Sequence, residues 1–295
     1  MSPSSTHRYH KDNRGSSICR PDCTRGVGAR VITFNPHRLS SGGRSHADSP
    51  EHDSGDGGGS GIGRGLAESF HRLGNQVIIA GRRREQLESV AAANPGMQSL
   101  TLDQSDAADI ERFATEATQR HPDLNVLINN AGIQYSEDLT AGRVADAEAM
   151  IITNLLGPIR LTAALLPRLL AQPRSAVLNV TSALAFLPKA QVPTYCATKA
   201  ALHSYTQSLR FQLRNTAVQV IEIMPPGVQT GLRDERVNEP DAMPLDEYIA
   251  ETMALLTEEP EATEIVVDAT KPLRFAERDG VYEQRYTDFN TSRSP

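Results

Sequence analysis

Gly57-Gly58-Gly59-Ser60-Gly61-Ile62-Gly63 opens the part of the chain whose pattern decides the fold. Glycines at this density permit tight turning and close approach of the backbone to a phosphate, although such stretches also occur as linkers. The residues after Gly63 remove the linker reading. A helical pattern over 62–73 leads into an apolar strand, Gln76-Val77-Ile78-Ile79-Ala80, and then a helix near 84–92. A short strand ends at Leu102-Asp103, and 105–121 reads as a helix with Ser105 as its cap. Strand 125–128 precedes Asn129, and a long helix is expected over 145–171 with Pro158 inside it. Strand 176–180, helix 195–214, strand 218–223, a weaker helix near 245–256 and a last strand at 264–267 complete the series. Short apolar strands alternating with amphipathic helices predict a parallel sheet covered on both faces.

The chemistry is written in Tyr195-Cys196-Ala197-Thr198-Lys199, with Ser182 thirteen residues before the tyrosine. Residues i and i+4 share a helix face, so the Lys199 ammonium can stand near the Tyr195 phenol. A free tyrosine has a pKa of about 10 and is a poor proton donor or acceptor at neutral pH. A nearby cation favours the phenolate and lowers that value. Ser182 follows the strand Ala176-Val177-Leu178-Asn179-Val180 and can reach the same substrate oxygen. A helical Tyr and Lys at this spacing are common, and alone they carry no function.

The ordered set is what carries weight: the glycines, then Asn129-Asn130-Ala131-Gly132, Asn154, and finally Ser182 with Tyr195 and Lys199. In this order the chain resembles the short-chain dehydrogenase/reductase superfamily from about Gly57 to the C-terminus. Ser182-Ala183-Leu184-Ala185-Phe186, Pro225-Pro226-Gly227-Val228-Gln229-Thr230 and Lys271-Pro272-Leu273-Arg274-Phe275-Ala276-Glu277-Arg278 resemble the DltE-like oxidoreductases most. The resemblance implies an α/β fold, a Rossmann-type doubly wound parallel sheet forming a single domain over 57–295. It implies an oxidoreductase that interconverts a carbonyl and an alcohol on a small molecule. Tyr195 would be the general acid/base, Ser182 would orient the substrate oxygen, and Lys199 would lower the tyrosine pKa and bond the nicotinamide ribose. Asn154 matches the position that holds a relay water; its bland reading is an asparagine satisfying a neighbouring backbone group. Gly57, Ser60, Gly61, Ile62 and Gly63 would cradle the cofactor, Asp103 would contact the adenine, Asn130 would abut the cofactor, and Thr230 would meet the carboxamide. Pro226 stands where the family usually has glycine.

Cofactor choice is read after the second strand. An acid there would pair with the ribose 2′-hydroxyl of NAD. This chain has Gly81-Arg82-Arg83, and guanidinium groups suit a 2′-phosphate, which favours NADP with Arg82 as its contact. The alternative is that these arginines are a solvated helix start. The family also implies a homodimer or homotetramer, and Leu155, Leu161, Leu165 and Leu169 on the long helix exceed what one sheet face can cover.

The chain departs from its family before the glycines. A buried strand should feed the turn, yet Asp48, Pro50, Glu51, His52, Asp53 and Asp56 precede Gly57. Residues 1–56 are rich in Ser, Gly, Arg, His and Asp and read as a disordered or aberrant segment. Val31-Ile32-Thr33-Phe34 is their one strand-like run, but using it requires a long structureless connection to Gly57. The favoured expectation is therefore a missing first strand. With it comes an alternative function, a catalytically impaired relative that keeps the fold.

Composition sets outer bounds. The 295 residues, 39% hydrophobic, suffice for one large domain with a tail. A net charge of −6 gives no nucleic-acid signal. Three cysteines make no disulfide framework, and Cys19, Cys23 and the scattered histidines match no zinc spacing, so no metal is expected. No apolar run of about 18 residues and no secretory signal are evident, which predicts a cytoplasmic chain with no membrane partner. Leu184, Phe186, Leu187, Val192 and the 231–245 loop are candidates for an apolar substrate pocket.

Overall fold

The computed structural model describes residues 61–142, 144–230, 232 and 241–291, and the backbone of 30–35. Seven strands form one sheet in the order β3-β2-β1-β4-β5-β6-β7. These are β1 (Arg30–Asn35), β2 (Gln76–Gly81), β3 (Gln98–Thr101), β4 (Leu124–Asn129), β5 (Ser175–Val180), β6 (Val218–Ile223) and β7 (Glu264–Ile265). All six pairings are parallel. This is the Rossmann-type doubly wound sheet, and its strand order reverses between β1 and β4, where such sheets open a crevice at the strands' carboxyl ends.

One expectation is corrected here. The first strand is not missing, because Arg30–Asn35 lies between β2 and β4, with Val31 opposite both Val77 and Val126. The physical reason is the central slot itself. Leaving the facing N–H and C=O groups of β2 and β4 without partners would be costly, and β-branched and aromatic residues are those that favour a strand. A long connection is a weaker objection than its length suggests, since the cost of loop closure grows only slowly with length. The expectation of disorder for the rest of 1–56 lies outside the described residues.

Alternation along each strand builds a core on either face. One face carries Val77, Ile79, Val126, Ile128, Leu178, Ile221 and Ile223 against α1 (Gly61–Arg72), α2 (Arg84–Ala93) and α7 (Leu245–Glu258). The other carries Ile78, Ala80, Leu127, Val177 and Val220 against α3 (Ala107–Arg120), α5 (Gly157–Leu170) and α6 (Pro193–Leu213). The cap of α3 is Asp106, which accepts from the amides of Ala108 and Asp109 at 2.8 and 3.4 Å. Ser105 instead donates its hydroxyl to Asp103 at 2.6 Å.

The expected long helix runs from Ala145 to Leu170 with a π-turn inside it. α4 (Ala145–Ile151) passes into a π-turn over Ile152–Leu156 and on into α5, and Pro158, which has no N–H to donate back into the helix, lies just after that turn. By length and composition the helix Ala145–Leu170 could cross a membrane, although Asp146, Glu148, Asn154, Arg160 and Arg168 break its apolar run. Here 44% of its most apolar window is buried inside the protein, and Leu161, Leu165 and Leu169 have no exposure. Those three leucines therefore serve the chain's own core and are not surplus. Exposed apolar side chains on these helices are Ile151, Leu170 and Phe211. Two helices lie beyond the sequence expectation, α8 (Lys271–Arg274) and α9 (Tyr282–Thr291).

Candidate active site

The carboxyl ends of β4, β5 and β6 meet the start of α6, and the chemistry-bearing side chains gather there. Tyr195, Lys199 and Ser182 are each buried, and Asn154 is fully so. Pro193 starts α6 with its backbone already set for a helix, which places Tyr195 in the first turn and Lys199 directly above it. Lys199 Nζ donates to the Val180 carbonyl at 2.8 Å, two residues before Ser182, and lies 5.7 Å from the centre of the Tyr195 ring. One ammonium thus ties the tyrosine helix to the serine strand. Burial pushes Lys199 down from its ordinary value to about 8, and the charge of Glu222 opposes that fall.

Ser182 is in extended backbone and caps the short turn Ala183–Ala185, its Oγ accepting from the Leu184 amide at 3.1 Å. Asn154 sits inside the π-turn. Its Nδ2 donates to the Ile133 carbonyl at 2.8 Å, and its Oδ1 accepts from the Ile133 amide at 2.8 Å. It also donates to Thr198 Oγ1 at 3.3 Å. The extra residue of the π-turn leaves the Thr153 carbonyl to Gln104 Nε2 at 2.9 Å. Asn154 therefore does satisfy a neighbouring backbone group, that of the loop after β4, while standing beside the Lys199 turn. A Cβ at Gly132 would make ordinary van der Waals contact with Lys199 Nζ at 3.5 Å and Asn154 Oδ1 at 3.6 Å, which places the loop after β4 close against both side chains.

Toward the β2 and β3 ends the geometry differs. Arg82 follows β2, and its Nε and Nη2 are buried with no hydrogen-bond partner among the described residues. Burial depresses its guanidinium below the usual value, opposed by the charges of Asp103 and Tyr135. Asp103 turns its Oδ1 to the Ser105 amide at 2.9 Å and hydroxyl at 2.6 Å. Gly61 takes a positive φ of 56° at the first position of α1, a conformation glycine reaches without strain, and Gly63 is buried behind it with Ile62 half-buried. Gly57 and Ser60 lie outside the described residues. Asn130 is half-buried after β4, where its neighbour Asn129 donates to Thr162 Oγ1 at 3.0 Å and Asn179 Oδ1 at 2.8 Å. Thr230 Oγ1 accepts from the Leu232 amide at 3.4 Å.

A family profile described as short chain dehydrogenase matches residues 56–241. The chain belongs to the short-chain dehydrogenase family. It is 39% identical over 242 residues to the uncharacterised oxidoreductase DltE of Bacillus subtilis (strain 168), covering 79% of this chain and 96% of that one. It is 30% identical over 220 residues to an uncharacterised oxidoreductase of Staphylococcus aureus (strain N315), covering 74% of this chain and 95% of that one. Among solved structures it resembles a short-chain dehydrogenase from Sphingobium yanoikuyae in complex with NADPH, at 22% identity and a TM-score of 0.70, over 90% of this chain and 98% of the other. A short-chain dehydrogenase/reductase from Burkholderia phymatum in complex with NAD superimposes with a TM-score of 0.68 at 19% identity, over 91% and 97%. At these identities the two structures speak for the fold alone.

As a short-chain dehydrogenase, and hence an oxidoreductase, the protein shows residues around this site that sequence reasoning missed. Leu184, Val192 and Tyr195 share an apolar cluster with Met150 and Cys196, and Ile133, Tyr135 and Phe289 pack against it. Phe289 comes from α9, whose Asn290 accepts from the Ala190 amide at 2.6 Å. Leu187 is buried, whereas Phe186 points away to meet His203 edge-on at 4.6 Å between ring centres. Of the 231–245 loop, residues 231 and 233–240 lie outside the described residues. Glu222, fully buried in β6, could have been found as a charge inside the apolar strand Val218-Gln219-Val220-Ile221-Glu222-Ile223. His203 could have been found by its spacing, one further turn beyond Lys199. Among the described residues His203, Glu222 and Glu264 bring one possible ligand atom each within 4.8 Å, but Arg274 already forks Glu264 at 2.9 and 3.1 Å.

Proposed function

We propose that the protein is an NADP-dependent oxidoreductase that interconverts a carbonyl and an alcohol on a small apolar substrate, with Tyr195 as the general acid/base. The supporting observation is the Lys199 ammonium, bonded to the Val180 carbonyl and 5.7 Å from the Tyr195 ring. A cation held there favours the phenolate and makes the phenol a usable acid near neutral pH. Ser182, fixed at the end of β5, orients and polarises the substrate oxygen that receives or gives the Tyr195 proton. Asn154 braces the loop after β4 against α6 and stands where the family holds a relay water. Leu184, Val192 and the half-buried Ile133 and Tyr135 offer the substrate an apolar wall.

The residues fit a dinucleotide carrying a 2′-phosphate, because Arg82 holds buried guanidinium nitrogens without hydrogen-bond partners among the described residues, and a phosphate oxygen is the acceptor they lack. Arg82 would hold the 2′-phosphate, Asp103 the adenine, and Gly57, Ser60, Gly61, Ile62 and Gly63 the pyrophosphate at the start of α1. Asn130, Tyr195, Lys199 and Thr230 would hold the nicotinamide half. When bound, the nicotinamide supplies or accepts the hydride. The reading of an impaired relative rested on a missing first strand, and Arg30–Asn35 occupies that place.

We further read the protein as a cytoplasmic homodimer or homotetramer, supported by the free, buried Cys196 and by the apolar exposure of Ile151, Leu170 and Phe211 on the helices that such dimers pair. Tyr195→Phe tests the central role. NADPH consumption with a panel of ketones and aldehydes should fall by a factor of about a hundred or more, with the melting temperature unchanged. Substantial residual turnover from an active parent would refute the assignment.

A further inference from the structure

Glu222 is a charge that the packing of β6 does not call for. It lies on the α6 side of a strand flanked by β5 and β7, with no exposure at all. A carboxylate in that position is strongly unfavourable unless it is bonded and balanced. Two side chains bond it. Thr181 Oγ1 donates to Oε1 at 2.7 Å, and His203 Nδ1 stands 2.8 Å from Oε2 and 3.0 Å from Oε1. Both come from the reacting segments. Thr181 immediately precedes Ser182 and is also tied to β6 through its amide, which donates to the Ile223 carbonyl at 2.9 Å. His203 lies one turn beyond Lys199 and two beyond Tyr195 on the same face of α6.

The surrounding charges leave a clear role. Lys199, His203 and Arg210 face the carboxylate from α6, and Glu264 faces it from β7. Arg274 of α8 is committed to Glu264 and lies 4.2 Å over the Phe186 ring, which in turn packs on His203. Two carboxylates thus meet three cations, Lys199, Arg210 and Arg274, so their negative charge is offset by side chains. The Lys199 ammonium donates to the neutral Val180 carbonyl, while Glu222 is the acid whose charge acts on it. A hydrogen bond to Thr181 alone would need only an amide at position 222; a full buried charge answers to a cation.

We propose that Glu222 and His203 form a positioning pair for the reaction, in which the buried carboxylate clamps the Thr181–Ser182 segment against α6 and supplies the negative charge opposite the Lys199 ammonium. The pair acts through Ser182 and Lys199 and touches no substrate, and it rests on the reading of Tyr195 and Lys199 as the proton-transfer site. His203, with its side chain 17% exposed, is the member of the pair that meets solvent.

The test is a titration of isotope-labelled lysine side chains by nuclear magnetic resonance in the full-length protein. The lysines are Lys11, Lys189, Lys199 and Lys271, so Lys199 is assigned with a single Lys199→Arg control. In the parent its resonance should titrate near pH 8. Glu222→Gln keeps the volume and can still accept from Thr181, and it should lower that midpoint by about one unit, a tenfold loss of ammonium above it. His203→Phe, at a position that already packs on an aromatic ring, removes one of the two side chains that bond the carboxylate and should also displace the midpoint, and it decides the matter alone if Glu222→Gln does not fold. In parallel, the alkaline limb of kcat with NADPH and diacetyl as the probe carbonyl should shift down with the midpoint. A Lys199 midpoint that stays in place in the folded variants, even with a lower melting temperature, marks a purely structural pair and overturns the proposal. Failure of the parent to reduce diacetyl would count against the proposed reaction on this probe, while the titration still decides the pair.

Discussion

The two ends of the crevice are built on opposite principles. At the β5–α6–β6 end, four buried polar side chains are held by the fold: Lys199 on the Val180 carbonyl, Asn154 on the Ile133 carbonyl, Asn179 on Thr206, and Glu222 on Thr181 and His203. At the β2–β3 end, Arg82 keeps two buried guanidinium nitrogens without a hydrogen-bond partner among the described residues. A proton-transfer site must be set before substrate arrives, so its geometry is supplied by the fold. A binding site for an anionic group is better built from charges that the fold does not neutralise. At one end the protein's own chain completes the chemistry, and at the other a ligand must.

The largest expected effect lies where the two ends join. Ile32→Pro places a residue without an N–H in a strand paired on both sides, and it should abolish cooperative unfolding near the parent's melting temperature. A folded, NADPH-binding Ile32→Pro protein would break the assignment of β1. Next comes Arg82→Asp, which removes the cation and adds repulsion. The ratio of kcat/KM for NADPH over NADH should fall by about a hundredfold, with Lys199 titrating as before. An unchanged ratio would remove the contrast between the two ends.

A pH series separates the ends further. Lys199 has a folded value near 8, below its ordinary 10.5. The unfolded chain therefore binds more protons than the folded one between those values, and stability from this group rises with pH across that window. The cost of burying the ammonium is complete below about pH 8. Turnover runs the other way, because the ammonium that assists Tyr195 is lost as pH rises through about 8. Activity and melting temperature that fall together over this range would contradict the placement of Lys199. The smallest effect belongs to scaffold remote from either end. Asp106→Ala removes the cap of α3 and should cost about 1 kcal/mol in denaturant unfolding, with kcat/KM unchanged.

Much of this was legible in the sequence, and unevenly. The strands β2 and β4 to β6 follow from short apolar runs, and the placement of Ser182 after a strand and of Tyr195 and Lys199 on one helix face follows from their spacing. The π-turn at Asn154 was hidden because it changes the hydrogen-bond pattern without interrupting the apolar periodicity of 145–171. β1 was misjudged because the residues next to the glycines are charged, and a strand distant in sequence carries no local signal of the slot it fills. Glu222 and His203 each look ordinary alone, and only the pairing of β6 with β5 brings them to Thr181.

The most direct measurement is a fluorescence titration of the purified full-length chain with NADPH, which its lack of tryptophan makes clean. The account predicts saturable binding, tighter than for NADH, that is weakened in Arg82→Asp and lost in Ile32→Pro. A folded parent that shows no saturable NADPH binding, or binds NADH equally well, would contradict it.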